Sequence, residues 1–171
     1  MREKITVLIA DDNQEFSMTL ATYLKNQEDM VVVGRAKDGN EALDMIPNLM
    51  PDVVLLDVIM PHLDGIGVLE KVTAANMKKH PICIMLSAVG QEKITQRALE
   101  LGAEYYAIKP FDINVLLQRI KEIKNIRSKE YIYITPPEYI VQQMNGALPE
   151  ETPATEDDIQ KIKSMQEKMK C

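Results

Sequence analysis

Five short apolar runs recur along the chain with amphipathic stretches between them. This alternation restricts the fold more than any other feature. The runs are "ITVLIA" (5–10), "MVVVG" (30–34), "DVVLLD" (52–57), "ICIMLS" (82–87) and "YYAIK" (105–109). Most are continuously apolar, the pattern of strands covered on both faces. Between them apolar residues fall at helical spacing: Phe16, Leu20 and Leu24 in 14–26, Ala42, Leu43 and Ile46 in 40–49, and Ile66, Leu69 and Val72 in 65–77. The same holds for Ile94, Ala98 and Leu101 in 91–101 and for Ile113, Leu116, Leu117, Ile120 and Ile123 in 112–126. Asn13, Asp64 and Asp112 precede such stretches, where a side-chain oxygen can accept from the first free N–H groups of a helix. Strand and helix alternating five times predict an α/β fold, a parallel sheet with helices on both faces. The expected form is a flavodoxin-like (βα)5 doubly wound sheet of strand order 2-1-3-4-5, with the ligand at the carboxyl ends of the strands.

The alternation stops after residue 127, which divides the chain into a domain, 1–127, and a short C-terminal tail, 128–171. In the tail "YIYITPPEY" reads as one more short extended segment, ended by Pro136 and Pro137. "GALPEETPATEDD" reads as a linker. "TEDDIQKIKSMQEKMK" is either a short amphipathic helix with Ile159, Ile162, Met165 and Met169 on one side, or a loosely ordered tail that is partly helical.

Composition sets the remaining bounds. Hydrophobic residues make up 46% of the chain and charged ones 27%, enough apolar material for a core. The net charge of −6 argues against direct nucleic-acid binding through backbone phosphates. Of the two cysteines, Cys83 lies within an apolar run, where it packs as a small hydrophobe, and Cys171 is the last residue. That is neither a disulfide framework nor a metal knuckle, and it suits a reducing compartment. No apolar stretch approaches the ~20 residues of a membrane span. A cytoplasmic protein is expected.

The strand ends carry the chemistry. The first apolar run leads into Asp11 and Asp12, the third ends on Asp57, the fourth on Ser87 and the fifth on Lys109, followed by Pro110. In a parallel sheet these ends share one edge, so three carboxylates meet a hydroxyl and an ammonium there. Carboxylates gathered in this way suit a hard divalent cation, and Mg²⁺ completes its shell with phosphate oxygens. A nucleophile, a metal and charge neutralisation are what phosphoryl transfer to a carboxylate requires. Each residue also has a plainer reading. Asp11 or Asp12 could cap the following helix, Ser87 by itself says little, and Lys109 by itself reads as a solvated surface lysine. Pro110 makes the preceding peptide bond a candidate for the cis form.

At these residues the chain resembles the receiver domain of two-component response regulators. The resemblance runs from residue 4 to about residue 124 and rests on "ADD" (10–12), "LLDVIMPHLDG" (55–65), "LSA" (86–88) and "KPF" (109–111). Within that family "IMPHLDG", "SAVGQE" and "LGAEYYAIKPFD" are most similar to the receivers of stage-zero sporulation master regulators. The resemblance implies a phosphoacceptor at Asp57, supplied by a histidine kinase or histidine phosphotransferase. It implies Mg²⁺ held by Asp11, Asp12, Asp57 and the Ile59 backbone carbonyl. Lys109 and Ser87 would contact the phosphoryl group, and Tyr106 matches the aromatic switch position, with a strand aromatic that merely packs as its plainer reading. It further implies a signalling domain that catalyses only its own phosphorylation and dephosphorylation. A homodimer through the face of helix 4, strand 5 and helix 5 is implied as well. Two other readings stand beside this one. A transcriptional regulator of the sporulation type could lack its DNA-binding domain here, since 128–171 is too short to hold one. An aspartyl-phosphate hydrolase would need a second Asp two positions after the nucleophile, where this chain has Ile59.

Overall fold

The computed structural model describes residues 3–88 and 90–134, the last five as backbone only. In it the apolar runs are strands and the stretches between them helices. The order is β1 (Ile5–Ala10), α1 (Gln14–Lys25), β2 (Met30–Ala36), α2 (Gly39–Leu49), β3 (Val53–Asp57), α3 (Gly65–Ala74), β4 (Ile82–Ser87), α4 (Glu92–Glu100), β5 (Tyr105–Ile108) and α5 (Ile113–Ile134). All four strand pairings are parallel. The sheet order is β2-β1-β3-β4-β5, the flavodoxin-like doubly wound arrangement expected.

Alternate strand residues enter two separate cores, as the period of a strand requires. Val7, Ile9, Val53, Leu55, Ile82 and Ile84 pack with Leu20 and Leu24 of α1 and Leu116 and Ile120 of α5. Leu8, Ala10, Val54, Leu56 and Met85 pack with Ala42 and Ile46 of α2, Val68 and Leu69 of α3, and Ala98 of α4. Both faces of the sheet are thereby covered, which is why the strands read as unbroken apolar runs. Cys83 belongs to the second core, 4% exposed, and burial pushes its thiol up to about 11, so it packs and does not react.

Helix starts follow side-chain chemistry. Asn13 accepts from the Phe16 N–H at 3.1 Å, Asp64 from Gly67 at 2.7 Å and Asp112 from Asn114 at 2.8 Å. Asp38 does the same for α2, accepting from Glu41 at 2.8 Å, while the Glu41 carboxylate accepts from the Lys37 N–H. This resembles a capping box, except that Glu41 reaches back to the N–H of the residue before the cap.

One expectation is overturned. The first four residues of "YIYITPPEY" continue α5, which runs through to Ile134, and do not form an extended segment. The stretch from Arg127 to Glu130 holds no helix breaker, and propagating an existing helix adds a hydrogen bond for each residue ordered. The expected linker and tail helix, and Cys171, lie outside the described residues. Met1–Lys129 is one compact unit.

At the amino-terminal edge of the sheet Asp52 joins three elements. Its carboxylate accepts from Lys79 Nζ and Lys124 Nζ, both at 2.7 Å, and from the Thr6 N–H at 2.9 Å. The acidic pocket lies at the other edge.

Candidate functional site

Register decides which side chains meet. Ala10 stands beside Leu56, Asp57 beside Leu86, and Ser87 beside Ile108, so the four strands stop at one level. Asp11 follows β1 directly, anchored by its N–H to the Ala36 carbonyl at 3.0 Å, and is 1% exposed. Its Oδ1 accepts from the Asn13 N–H at 2.8 Å. Asp12 is exposed, and Asp57 is buried at 8%. One carboxylate oxygen from each of Asp11, Asp12 and Asp57 lies within 4.8 Å of the others.

Lys109 enters from the next residue after β5. Its N–H donates to the Ser87 carbonyl at 2.8 Å, which ties the end of β5 to the end of β4. Its Nζ donates to Asp11 Oδ2 at 2.6 Å and lies 3.6 Å from Asp57 Oδ2. The Lys109–Pro110 peptide bond is cis. Ser87 is fully buried. Tyr106 is half-buried, on the side of the sheet that carries α2, α3 and α4. Ile59 turns its side chain outward, 58% exposed, while its backbone N–H donates to the Asp57 carboxylate.

Burial raises the pKa of Asp57 most, and the neighbouring Asp11 and Asp12 add to it. Lys109 and the Ile59 N–H oppose them, and the carboxyl is pushed up to about 6. Three carboxylates therefore face one ammonium in a partly dry pocket. The donor set is all oxygen, close-spaced and over-negative, which fits a hard divalent cation.

The β3–α3 loop is held against Asp57 by a glycine. Gly65 donates its N–H to the Val58 carbonyl at 2.8 Å, and a Cβ at Gly65 would stand 2.1 Å from the Asp57 carbonyl oxygen. Backbone cannot move aside as a flexible side chain can. Gly65→Ala is expected to destabilise the domain by roughly 2 kcal/mol in a urea melt. At Gly67 the nearest atom is the Leu63 Cδ1, and Ala is the better helix former, so Gly67→Ala is expected to be near neutral.

Asp11, Asp12, Asp57 and Lys109 come together here, with Ile59 beside Asp57, and Ser87 ends β4 at the same level, its carbonyl bonded to the Lys109 N–H. Sequence reasoning missed the Ile59 N–H and the Phe16 ring, which lies under the Lys109 ammonium at 4.1 Å from its centroid. The Ile59 contact is local, two residues from Asp57, but is set by the backbone of the loop and leaves no mark in residue type, whereas the Phe16 contact depends on how distant segments pack.

The fold and this pocket define a class: α/β proteins that present carboxylates and a lysine at the carboxyl edge of a five-stranded parallel sheet. Within it, the chain belongs to the response regulator receiver domain family, which matches residues 7–121. It is similar to the response regulator domain of Thermotoga maritima CheB, with 35% identity and a TM-score of 0.66, over 72% of this chain and 98% of that one. A response regulator from Chloroflexus aurantiacus is 32% identical, with a TM-score of 0.66, over 72% of this chain and 99% of the other. A chain of the CheX–CheY–BeF3–Mg complex from Borrelia burgdorferi is 32% identical, with a TM-score of 0.63, over 71% of this chain and 90% of that one. Receiver domains are signalling domains. Among the described residues no helix is long and apolar enough to cross a membrane.

Proposed function

We propose that this chain is the phosphoacceptor switch of a phosphorelay, with residues 1–127 as its receiver and 128–171 as a tail. The observation that carries this is the buried Asp57 carboxylate, gathered with Asp11 and Asp12 and facing Lys109 at 3.6 Å. A phosphohistidine on a histidine kinase or histidine phosphotransferase is the donor. An Asp57 oxygen attacks the phosphorus, a P–O bond forms as the P–N bond breaks, and the freed imidazole keeps the electron pair and takes up a proton. Lys109 offsets the charge of the phosphoryl oxygens. Asp11, Asp12, Asp57 and the Ile59 carbonyl would hold Mg²⁺, whose charge offsets that of the carboxylates and phosphate together. The Borrelia complex, with BeF3 and magnesium, supports this reading, because beryllofluoride on a carboxylate imitates an acyl phosphate.

The added charge then biases two states of the domain. Ser87 is drawn to the phosphoryl oxygens, Tyr106 follows into the space vacated, and the face of α4, β5 and α5 changes shape. Leu99 and Ile108, both about half exposed, make that face the docking surface for a second copy or another partner. The segments "IMPHLDG" and "SAVGQE" favour a phosphorelay of the sporulation type. A hydrolase would need a carboxylate where Ile59 stands.

The test is incubation with Mg²⁺ and acetyl phosphate, followed by intact mass and peptide mapping. One phosphoryl adduct, on Asp57 and suppressed by a chelator, is expected. No adduct, or an adduct elsewhere, overturns the reading. The exposed, apolar Ile59 offers no polar group to orient an attacking water, and Val89, two positions after Ser87 in the sequence, is apolar too and lies outside the described residues. Phospho-Asp57 is therefore expected to persist for many minutes, and Ile59→Asn to shorten its life several-fold. A parent lifetime of seconds contradicts this.

A further inference from the structure

Lys109 is the cation of the pocket, yet a lysine stem is flexible and its ammonium is strongly hydrated, so something must hold it in place. Four contacts form a closed circuit that does so. Asp11 Oδ1 accepts from the Asn13 N–H at 2.8 Å, and Asn13 Oδ1 accepts from the Phe16 N–H at 3.1 Å. The Phe16 ring faces the Lys109 ammonium at 4.1 Å, and that ammonium donates back to Asp11 Oδ2 at 2.6 Å. Phe16 is itself fixed by Phe111, whose ring meets it edge-on at 6.2 Å and 89°. The cap that starts α1 thus also aims an aromatic face at the pocket. The face covers one side of the ammonium and attracts it through the ring quadrupole. Lys109 is left 19% exposed.

We propose that Phe16 is a positioning residue for phosphoryl transfer, holding the Lys109 ammonium between Asp11 and Asp57. The inference rests on the phosphoacceptor reading for its catalytic consequence, but the placement of Lys109 is testable without it. Phe16→Leu keeps the apolar bulk and removes the aromatic face, Phe16→Tyr keeps the face, and Leu24→Val weakens the same helix at its far end, away from the pocket. Two measurements are made on the full chain. The first is the rate of acetyl-phosphate adduct formation at saturating Mg²⁺. A cation–π contact of this kind predicts that Phe16→Leu slows it about 3- to 10-fold, while Phe16→Tyr and Leu24→Val stay within about 2-fold of the parent. The second is the rate at which acetic anhydride labels Lys109, read by peptide mass. It is expected to rise several-fold in Phe16→Leu only. If the parent takes no phosphoryl group, the phosphoacceptor reading falls and the labelling arm still decides the role of Phe16. Unchanged labelling in Phe16→Leu, or a loss of rate in Leu24→Val equal to that in Phe16→Leu, overturns the proposal.

Discussion

Replacing Asp57 with Asn is expected to abolish the acetyl-phosphate adduct and to make the metal-free domain more stable at the same time. The loss follows from chemistry: an amide oxygen does not attack phosphorus to give a stable product, and the remaining carboxylates sit on different strand ends. The gain follows from electrostatics. Asp57 is 8% exposed, and burial, Asp11 and Asp12 together push its carboxyl up to about 6 against Lys109 and the Ile59 N–H. At pH 7 the folded chain therefore holds a charge that its surroundings disfavour, whereas an unfolded chain holds the same charge in water. Removing it is expected to add about 1–2 kcal/mol in a urea titration with chelator present, less than the full shift because the attraction to Lys109 is lost too. Mg²⁺ is expected to stabilise the parent more than the variant, since a ligand of the folded state alone stabilises by mass action. A variant that still takes the phosphoryl group, or one clearly less stable than the parent without metal, contradicts this account.

Asp52→Ala is expected to do the opposite, costing about 2–3 kcal/mol at pH 7. Asp52 is buried as deeply as Asp57, and burial alone would raise its carboxyl. Hydrogen bonds from Lys124, Lys79 and the Thr6 N–H outweigh that and hold it well below the usual carboxylate range. Removal leaves the Thr6 amide without its acceptor and two ammonium groups close together; both lysines are partly solvated, which limits the cost. The pH dependence has a definite sign. The folded carboxyl titrates below the unfolded one, so its contribution is complete above about pH 4, the unfolded value, and is lost progressively as the pH falls below it. The stability gap between parent and variant should be constant from pH 7 to pH 5 and shrink by pH 3. A gap that stays the same at pH 3 rules out the ionised Asp52 network as its source.

The two aspartates flank the same strand, and the apolar run between them makes them look alike in sequence. Asp57 stands out in the sequence because three other strand ends, those of β1, β4 and β5, deliver matching chemistry to the same edge. Asp52 carried no such mark. Its partners come from the loop before β4 and from α5, elements whose approach to the start of β3 follows from packing. The length of α5 departs from the sequence pattern for a related reason. "YIYI" has the composition of a strand, but it follows an established helix with no breaker in between, and helix propagation outweighs local β preference. Phe16 lies on a helix face, as its spacing predicts, yet its contact with the Lys109 ammonium depends on a residue at the far end of the sheet order.

By itself the sequence determined the alternation of strand and helix, the burial of the sheet on both faces and the assembly of Asp11, Asp12, Asp57, Ser87 and Lys109 at one edge. These follow from periodicity and from the rule that parallel strands end together, both of which act over a few residues at a time. Only the tertiary structure decided which carboxylate is strained and which is satisfied, and what holds the Lys109 ammonium in place. Those outcomes depend on distances of a few ångströms between segments far apart in the chain. At that range desolvation and the identity of the nearest cation, not residue type, set the energy of a buried charge.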